Sequence, residues 1–221
     1  MSISNELWQA NYDLVLACLE HPFVRGIADG TLERKKFAHY IGQDAFFLEA
    51  FARAYSIVAA KAPDWEGFTI FHNLAAGVLK ELQLHEAYAK SWHVSFNAGG
   101  LDDPWRCHVN LQAVEPTSAT RRYTDFLLAT AWGSDMGLTT TAMSPCMRLY
   151  VFLGQKLAEN EIGDHQYANW IRTYSSPDFE LLAQQLENLT DRYTSNVPIV
   201  HQTYRYAMLC ERDFFQAAWE S

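Results

Sequence analysis

Hydrophobic and polar positions along most of the chain recur with the period of an α-helix. Between residues 37 and 51, apolar side chains are spaced i, i+3, i+4 and i+7, and the same spacing returns further along the chain. The later stretches are 71–92, 119–132, 142–157, 165–173, 179–193 and 201–219. No stretch shows the convincing period-2 alternation of a half-buried strand. The pattern predicts an all-α bundle of seven to nine helices.

Turn-forming residues separate these stretches. The pair Ser176-Pro177 is typical of a helix that begins with a serine N-cap and a proline at its first position. Asp164 is the predicted N-cap of the preceding helical stretch, 165–173. The longest stretch without a clear pattern, 98–115, is long enough for a short helix or an active-site loop. No linker, repeat or low-complexity tract divides the chain, so residues 1–221 are predicted to form a single domain.

The composition and net charge of the chain limit the partners and the cellular location that we expect for it. The chain has 221 residues, of which 49% are hydrophobic, and its 17 Lys and Arg against 26 Asp and Glu give a formal net charge of −9. An acidic balance disfavours a surface that follows nucleic-acid phosphates. The first eleven residues contain no apolar segment typical of a secretory signal, and no apolar run reaches the length of a bilayer. We therefore expect a cytoplasmic protein with no nucleic-acid or membrane partner.

The four cysteines are widely scattered. Cys18, Cys107, Cys146 and Cys210 show neither CxxC spacing nor the close clustering of a zinc site. In a reducing compartment they are expected to be free thiols. A lone cysteine of this kind is most often a small buried apolar residue, so only its surroundings can single one out.

The apolar residues of each predicted helix form a stripe along one face of that helix. Several helices carry a polar side chain at a position within this apolar stripe. Asp44 lies in the middle of its stripe, and the neighbours of Glu211 at i±3 and i±4 are all apolar. Burying such groups costs free energy unless each finds a partner. A thiol and three phenols occupy similar positions, at Cys146, Tyr123, Tyr150 and Tyr174. Each alone is open to a structural interpretation, but together they predict a polar cavity between helices.

A series of short motifs also runs in a fixed order along the chain. They are His21-Pro22-Phe23-Val24, Gly30-Thr31-Leu32, Phe37, Tyr40, Gln43-Asp44, Pro116-Thr117, Tyr123-Thr124, Ser144-Pro145-Cys146, Leu149-Tyr150, Trp170-Ile171-Arg172-Thr173-Tyr174, and Glu211 ahead of Phe214-Phe215. In type and order they resemble the thiaminase II (TenA) family over residues 6–219. The resemblance implies a heme-oxygenase-like helical fold, usually a homotetramer, and hydrolysis of 4-amino-2-methylpyrimidines at their methylene carbon without a metal or other cofactor.

The resemblance also assigns catalytic roles by position. Cys146 corresponds to the nucleophile of the family's cysteine-containing branch, Glu211 to the acid/base group near the leaving group, and Asp44 to the carboxylate that holds the 4-amino edge of the ring. We expect the burial of Glu211 beside another carboxylate to raise its pKa. We also expect Pro145-Cys146 to lie near a helix start, where the helix dipole would lower the pKa of the thiol.

The remaining assignments concern the walls of the pocket. Tyr123 and Tyr174 match phenols that hydrogen-bond the ring or the thiol, and Tyr150 matches an aromatic wall. Two departures stand out, because Phe47 occupies a position where many relatives have a tyrosine and Arg148 one where an aromatic residue is usual. The missing hydroxyl at Phe47 bears on the choice of leaving group rather than on the class of reaction.

The sequence therefore favours an aminopyrimidine aminohydrolase of thiamine salvage. It would convert 4-amino-5-aminomethyl-2-methylpyrimidine, or thiamine, to 4-amino-5-hydroxymethyl-2-methylpyrimidine by cysteine covalent catalysis. Two alternatives remain open. The pair Glu81 and His85 invites a heme-oxygenase-like di-iron oxidase, although its i, i+4 spacing differs from the usual ExxH. The other alternative is a non-catalytic thiamine-binding or regulatory protein.

Overall fold

The computed structural model describes residues 2–91, 115–159 and 161–221, without the side chains of 80, 81 and 83–91. These residues form helices joined by turns and short irregular segments, with no strand among them. The helices are α1 (Ile3–Ala10), α2 (Tyr12–Leu19), α3 (Pro22–Ala28), α4 (Arg34–Lys61), α5 (Trp65–Ser91), α6 (Ser118–Gly133), α7 (Met136–Ala158), α8 (Ala168–Tyr174), α9 (Pro177–Tyr193) and α10 (Pro198–Trp219). The predicted all-α bundle is confirmed.

The helix ends show where local sequence decides the fold. Ser176 accepts a hydrogen bond from the backbone N–H of Phe179 at the start of α9, and Pro177 follows at the first position, as predicted. Asp164 is not an N-cap, because α8 begins only at Ala168. The described residues contain ten helices, more than predicted. The excess lies in α1 to α3, whose seven or eight residues are too few to show a clear stripe.

Helix α7 lies in the middle of the bundle, where it packs against α6, α8, α9 and α10. Its first turns are rich in threonine, which is unfavourable in a buried position unless the hydroxyl finds an acceptor. Thr140 and Thr141 donate to the backbone carbonyl of Gly137, at 2.8 and 2.9 Å. These bonds within the helix satisfy both hydroxyls, and the hydroxyl of Thr141 also lies 3.4 Å from that of Thr194 at the end of α9. A largely buried α7 can thus carry its middle residues into the core.

Helices α4 and α10 complete the surroundings of α7. Helix α4 packs extensively on α5 and α6, and α10 crosses α2, α3, α4, α6 and α7. One cluster of buried apolar side chains extends through these helices, from Leu7 to Ala218. No helix among the described residues has both the length and the apolar character needed to cross a membrane.

A glycine sets the distance between α7 and α8. A Cβ atom at Gly154 would lie 2.5 Å from the carbonyl carbon of Tyr174 and 2.6 Å from the backbone nitrogen of Ser175. Such contacts with backbone atoms cannot be relieved by rotating a side chain, so only glycine permits this approach. The close approach places Tyr174 against α7.

We predict that Gly154→Ala lowers the free energy of unfolding by roughly 1–3 kcal/mol, because α8 must move away from α7. The control is Gly77→Ala, since a Cβ at Gly77 in α5 would have nothing within 4 Å. That variant should gain up to about 1 kcal/mol from higher helix propensity. Urea unfolding followed by circular dichroism measures both. Equal effects of the two substitutions would contradict the proposed constraint.

Candidate active site

The centre of the candidate site is the carboxylate of Glu211 on α10. The residue is 2% exposed. Tyr123 on α6 donates its hydroxyl hydrogen to Glu211 Oε1 at 2.6 Å. The thiol of Cys146 on α7 makes a second hydrogen bond to the same carboxylate. Three helices thus bring an acid, a phenol and a thiol into direct contact.

Burial dominates the electrostatics of Glu211. Removal from water disfavours the charged form and raises its pKa from 4.5 to about 7, although the hydrogen bonds from Tyr123 and Cys146 act in the opposite direction. The predicted rise in the pKa of Glu211 is therefore confirmed, and burial produces it as expected. The interactions that accompany burial come from Tyr123 and Cys146 rather than from a second carboxylate. Near neutral pH both protonation states of Glu211 are populated.

Tyr150 links this centre to Asp44. Burial is the largest reason that the pKa of Tyr150 is raised well above 10, and the further causes are electrostatic interactions with Tyr40, Glu211, Asp44 and Cys146. Asp44 is itself 4% exposed, on α4. Both carboxylates and the thiol thus interact electrostatically with Tyr150.

Aromatic rings form the walls around these polar groups. The ring of Phe47 lies 4.8 Å from that of Tyr123 and 6.1 Å from that of Phe214, measured between centroids. Phe47 is 5% exposed. Its ring therefore contacts the phenol that donates to Glu211, which places it beside the candidate site and not in a remote part of the core.

Tyr174 joins the group through Tyr150. Their ring centroids are 4.8 Å apart in an edge-to-face arrangement. The ring of Trp170 packs on both tyrosines, at 5.7 Å from Tyr150 and 4.7 Å from Tyr174. All the residues that the sequence singled out as a possible pocket thus lie on neighbouring surfaces of α4, α6, α7, α8 and α10.

Cys146 occupies a different position on its helix from the one expected. Helix α7 begins at Met136, so Cys146 lies in the helix interior. The prediction that the N-terminal dipole lowers the pKa of the thiol is therefore wrong, because that effect fades within the first turn. Pro145, directly before the thiol, lacks the N–H that would bond one turn back, and the helix continues through it.

The departure at Arg148 has a structural explanation. Its guanidinium donates to Glu180 Oε1 at 3.0 Å and to Glu187 Oε1 at 2.7 Å, both on α9. The arginine thus ties α7 to α9 on the side that borders a groove of about 310 Å³. This groove is lined by residues of the α1 region, α7 and α9, and it contains none of the predicted site residues.

Two residues near the site were not recognised as site residues from the sequence. The hydroxyl of Tyr40 lies 3.1 Å from that of Tyr150, and Trp170 Nε1 donates to Tyr40 at 3.4 Å. Tyr40 lies one turn before Asp44 on the same helix face, and this spacing could have identified it as a site residue from the sequence. The other is Gln43, whose buried amide bonds to the start of α6.

The side chains of Glu81 and His85 lie outside the described residues, as do Cys107 and most of the stretch 98–115. Among the described residues, no group of three or more His, Cys, Asp or Glu side chains is arranged to hold a metal ion.

The chain can be placed among known proteins. Residues 8–221 match the TENA/THI-4/PQQC family. The mitochondrial bifunctional TH2 protein of Arabidopsis thaliana is 32% identical over 242 residues, which cover 98% of this chain but 37% of that protein. The aminopyrimidine aminohydrolase of Halalkalibacterium halodurans is 32% identical over 188 residues, covering 84% of this chain and 75% of that enzyme. The chain thus spans little more than a third of the plant protein.

The fold has close structural neighbours. The TenA homologue from P. horikoshii OT3 has a TM-score of 0.86 with 22% identity, and the match covers 100% of this chain and 99% of that one. At this level of identity the likeness shows the fold alone.

We predict a pH-dependent stability that Glu211 controls. Between about pH 4.5 and about pH 7 the folded state holds the Glu211 proton while the unfolded state releases it, so the free energy of unfolding falls as pH rises. Over that window the wild type should lose about 3 kcal/mol from this group. The glutamine of Glu211→Gln stays neutral, so this variant should not show that fall in the free energy of unfolding. Urea unfolding across the window measures it, with the exposed Glu20→Gln as control; identical pH profiles for Glu211→Gln and the wild type would refute the prediction.

Proposed function

The chain belongs to the TENA/THI-4/PQQC family, and we propose that it is a thiaminase II-type aminopyrimidine aminohydrolase of thiamine salvage. The observation that carries the proposal is the buried contact of Cys146 and Tyr123 with the carboxylate of Glu211. The named activity of the Halalkalibacterium relative supports the class of reaction. The proposed substrate is 4-amino-5-aminomethyl-2-methylpyrimidine, with thiamine as a second substrate. The products are the hydroxymethyl pyrimidine and either ammonia, from the first substrate, or the thiazole, from thiamine.

The proposed reaction begins with the thiol. Glu211 takes the proton of Cys146, and the resulting thiolate forms a carbon–sulfur bond to the pyrimidine ring beside a protonated nitrogen. The ring nitrogen receives the electron pair and the ring loses its aromaticity. Asp44 holds the edge that carries the 4-amino group, because a carboxylate accepts hydrogen bonds from an amine and from a protonated ring nitrogen.

Departure of the amine follows from this adduct. The electron pair of the adduct returns toward the exocyclic methylene and breaks its bond to the leaving nitrogen, to which Glu211 donates its proton. Water then adds to the methylene carbon and gives a proton to Glu211. The carbon–sulfur bond then breaks with its electron pair on sulfur, the ring regains aromaticity, and the thiolate takes the proton of Glu211 to reform the thiol. A carboxyl group whose pKa is about 7 suits both directions of proton transfer near neutral pH.

The decisive test of function is a steady-state comparison of thiamine with 4-amino-5-aminomethyl-2-methylpyrimidine. Turnover of either substrate to the hydroxymethyl pyrimidine supports the proposal. Metal content measured on the same sample separates a hydrolase from the di-iron alternative. Binding of thiamine without turnover would instead favour the regulatory alternative.

We further propose that the chain assembles as a homotetramer, as the family resemblance implies. The outer face of α5 supports self-association, because Trp65 is 80% exposed, Phe68 and Leu79 are also exposed, and residues 67–79 include no charged side chain. An uncharged surface with exposed aromatic residues favours contact with another protein surface over contact with water. Analytical ultracentrifugation of the full chain measures its oligomeric state directly.

A cytoplasmic location is the final part of the proposal. Cys18 and Cys210 are buried free thiols. Free cysteines are typical of proteins that work in a reducing compartment.

We predict that Cys146→Ser loses nearly all turnover but still binds the hydroxymethyl pyrimidine, because a hydroxyl is a far weaker nucleophile than a thiolate. Single-turnover kinetics and equilibrium binding measure the two quantities. The matched control is Cys210→Ser, which makes the same change at a buried thiol whose sulfur accepts a hydrogen bond from Arg122, and it should retain turnover. A Cys146→Ser variant with more than about a tenth of wild-type turnover would rule out covalent catalysis.

We also predict that Phe47→Tyr changes the ratio of kcat/KM for thiamine and the aminomethyl pyrimidine by at least about threefold, or roughly 0.7 kcal/mol. The new hydroxyl would project beside Tyr123 and offer a hydrogen bond that phenylalanine cannot make. As a control, Phe126→Tyr adds a hydroxyl to a partly buried ring that contacts Tyr206, and it should not move the ratio. An unchanged ratio for Phe47→Tyr would mean that the ring serves only as packing.

A further inference from the structure

Gln43 on α4 is a buried amide whose hydrogen bonds all reach the start of α6. The residue is 3% exposed and directly precedes Asp44. Its Oε1 accepts from the backbone N–H of Thr117 at 2.8 Å and from the hydroxyl of Thr120 at 2.7 Å. Its Nε2 donates to the backbone carbonyl of Glu115 at 3.0 Å. One side chain thus bonds to three successive points where the chain enters α6.

The partners fix the orientation of this amide. A backbone N–H can only donate and a backbone carbonyl can only accept, so the oxygen of Gln43 must face Thr117 and its nitrogen must face Glu115. Each neutral bond contributes about 0.5–1.5 kcal/mol, and an unpaired buried group would cost more than that. The amide is therefore a rigid connection between two helices.

A second contact lies one turn further along both helices. Phe47 follows Gln43 by four residues on α4, and Tyr123 follows Thr120 by three on α6, so each pair shares a helix face. The rings of Phe47 and Tyr123 are 4.8 Å apart. The amide contact and the aromatic contact together define the register of α6 on α4.

We propose that Gln43 is a positioning residue, which ties the first turn of α6 to α4 and thereby holds the hydroxyl of Tyr123 on the carboxylate of Glu211. This positioning role rests on the observed contacts alone, whereas any effect of Gln43 on turnover rests on the proposed function. Gln43 acts through α6 and is not a catalytic residue.

The pKa of Glu211 depends on the position of the Tyr123 hydroxyl. The hydrogen bond from Tyr123 favours the charged carboxylate and lowers its pKa against the effect of burial. Among the described residues, the other titratable groups that interact with Glu211 from neighbouring helices include Cys146 on α7 and Cys18 on α2. Tyr150 on α7 interacts with both Glu211 and Asp44 of α4. None of these side chains hydrogen-bonds Gln43, so a loss of the amide should act on Glu211 through Tyr123.

The test is the titration of Glu211 in Gln43→Met, which keeps the length of the side chain and removes its three hydrogen bonds. Infrared difference spectroscopy of the carboxyl band follows the titration, and Glu211→Gln identifies the band. The midpoint should rise by at least about 0.5 pH units, or roughly 0.7 kcal/mol. In a Tyr123→Phe background, where the donor is absent, the same substitution should leave the midpoint unchanged.

A milder variant keeps the test informative if Gln43→Met folds poorly. Thr120→Val removes one of the three bonds and should move the midpoint in the same direction by a smaller amount. The control is Thr190→Val, which removes the hydrogen bond from a buried threonine on α9 to the backbone of Leu186 and should cause no shift.

Two results would overturn the inference: an unmoved midpoint in a folded variant, or an equal shift in the Tyr123→Phe background. Neither depends on turnover. If the midpoint moves as expected but the wild type hydrolyses neither pyrimidine substrate, the proposed function fails and the positioning role stands.

Discussion

A carboxyl group buried in a helical bundle is the constraint around which the rest of the site is arranged. Ionised Glu211 without partners would cost several kcal/mol. The protein meets this cost with a hydroxyl from Tyr123, a thiol from Cys146 and a pKa near 7. Because these partners come from α6 and α7 while the acid is on α10, the protonation state of Glu211 depends on how these three helices pack.

The backbone features near the site serve this packing. Gly154 lets α8 approach α7 closely enough for Tyr174 to lie on Tyr150. Gln43 joins α4 to the first turn of α6, and Tyr123 follows on the same helix. Small residues and buried amides are poor contributors to a hydrophobic core, so their presence here indicates that precise placement has been favoured over simple apolar burial.

The same burial gives the site its proposed chemistry. An acid that is half protonated near neutral pH can receive the proton of a thiol and later supply one to a leaving amine. A solvent-exposed glutamate would be almost wholly ionised at that pH and would be a weak proton donor. The energetic cost of burying Glu211 and its suitability for proton transfer therefore have one physical origin.

The sequence by itself determined the helical class, the approximate positions of the longer helices and which polar residues point inward, because a period of 3.6 residues assigns every side chain to a face. It could not determine which inward groups meet. The bond from Tyr123 to Glu211 joins residues 88 positions apart, and its existence depends on the register of two helices. For the same reason the sequence overlooked Tyr40 and Gln43 as parts of the site, placed Cys146 at a helix start instead of a helix interior, and expected a second carboxylate to add to the effect of burial on the pKa of Glu211. Depth of burial and distances between helices are properties of the packed molecule, and only the tertiary structure decided them.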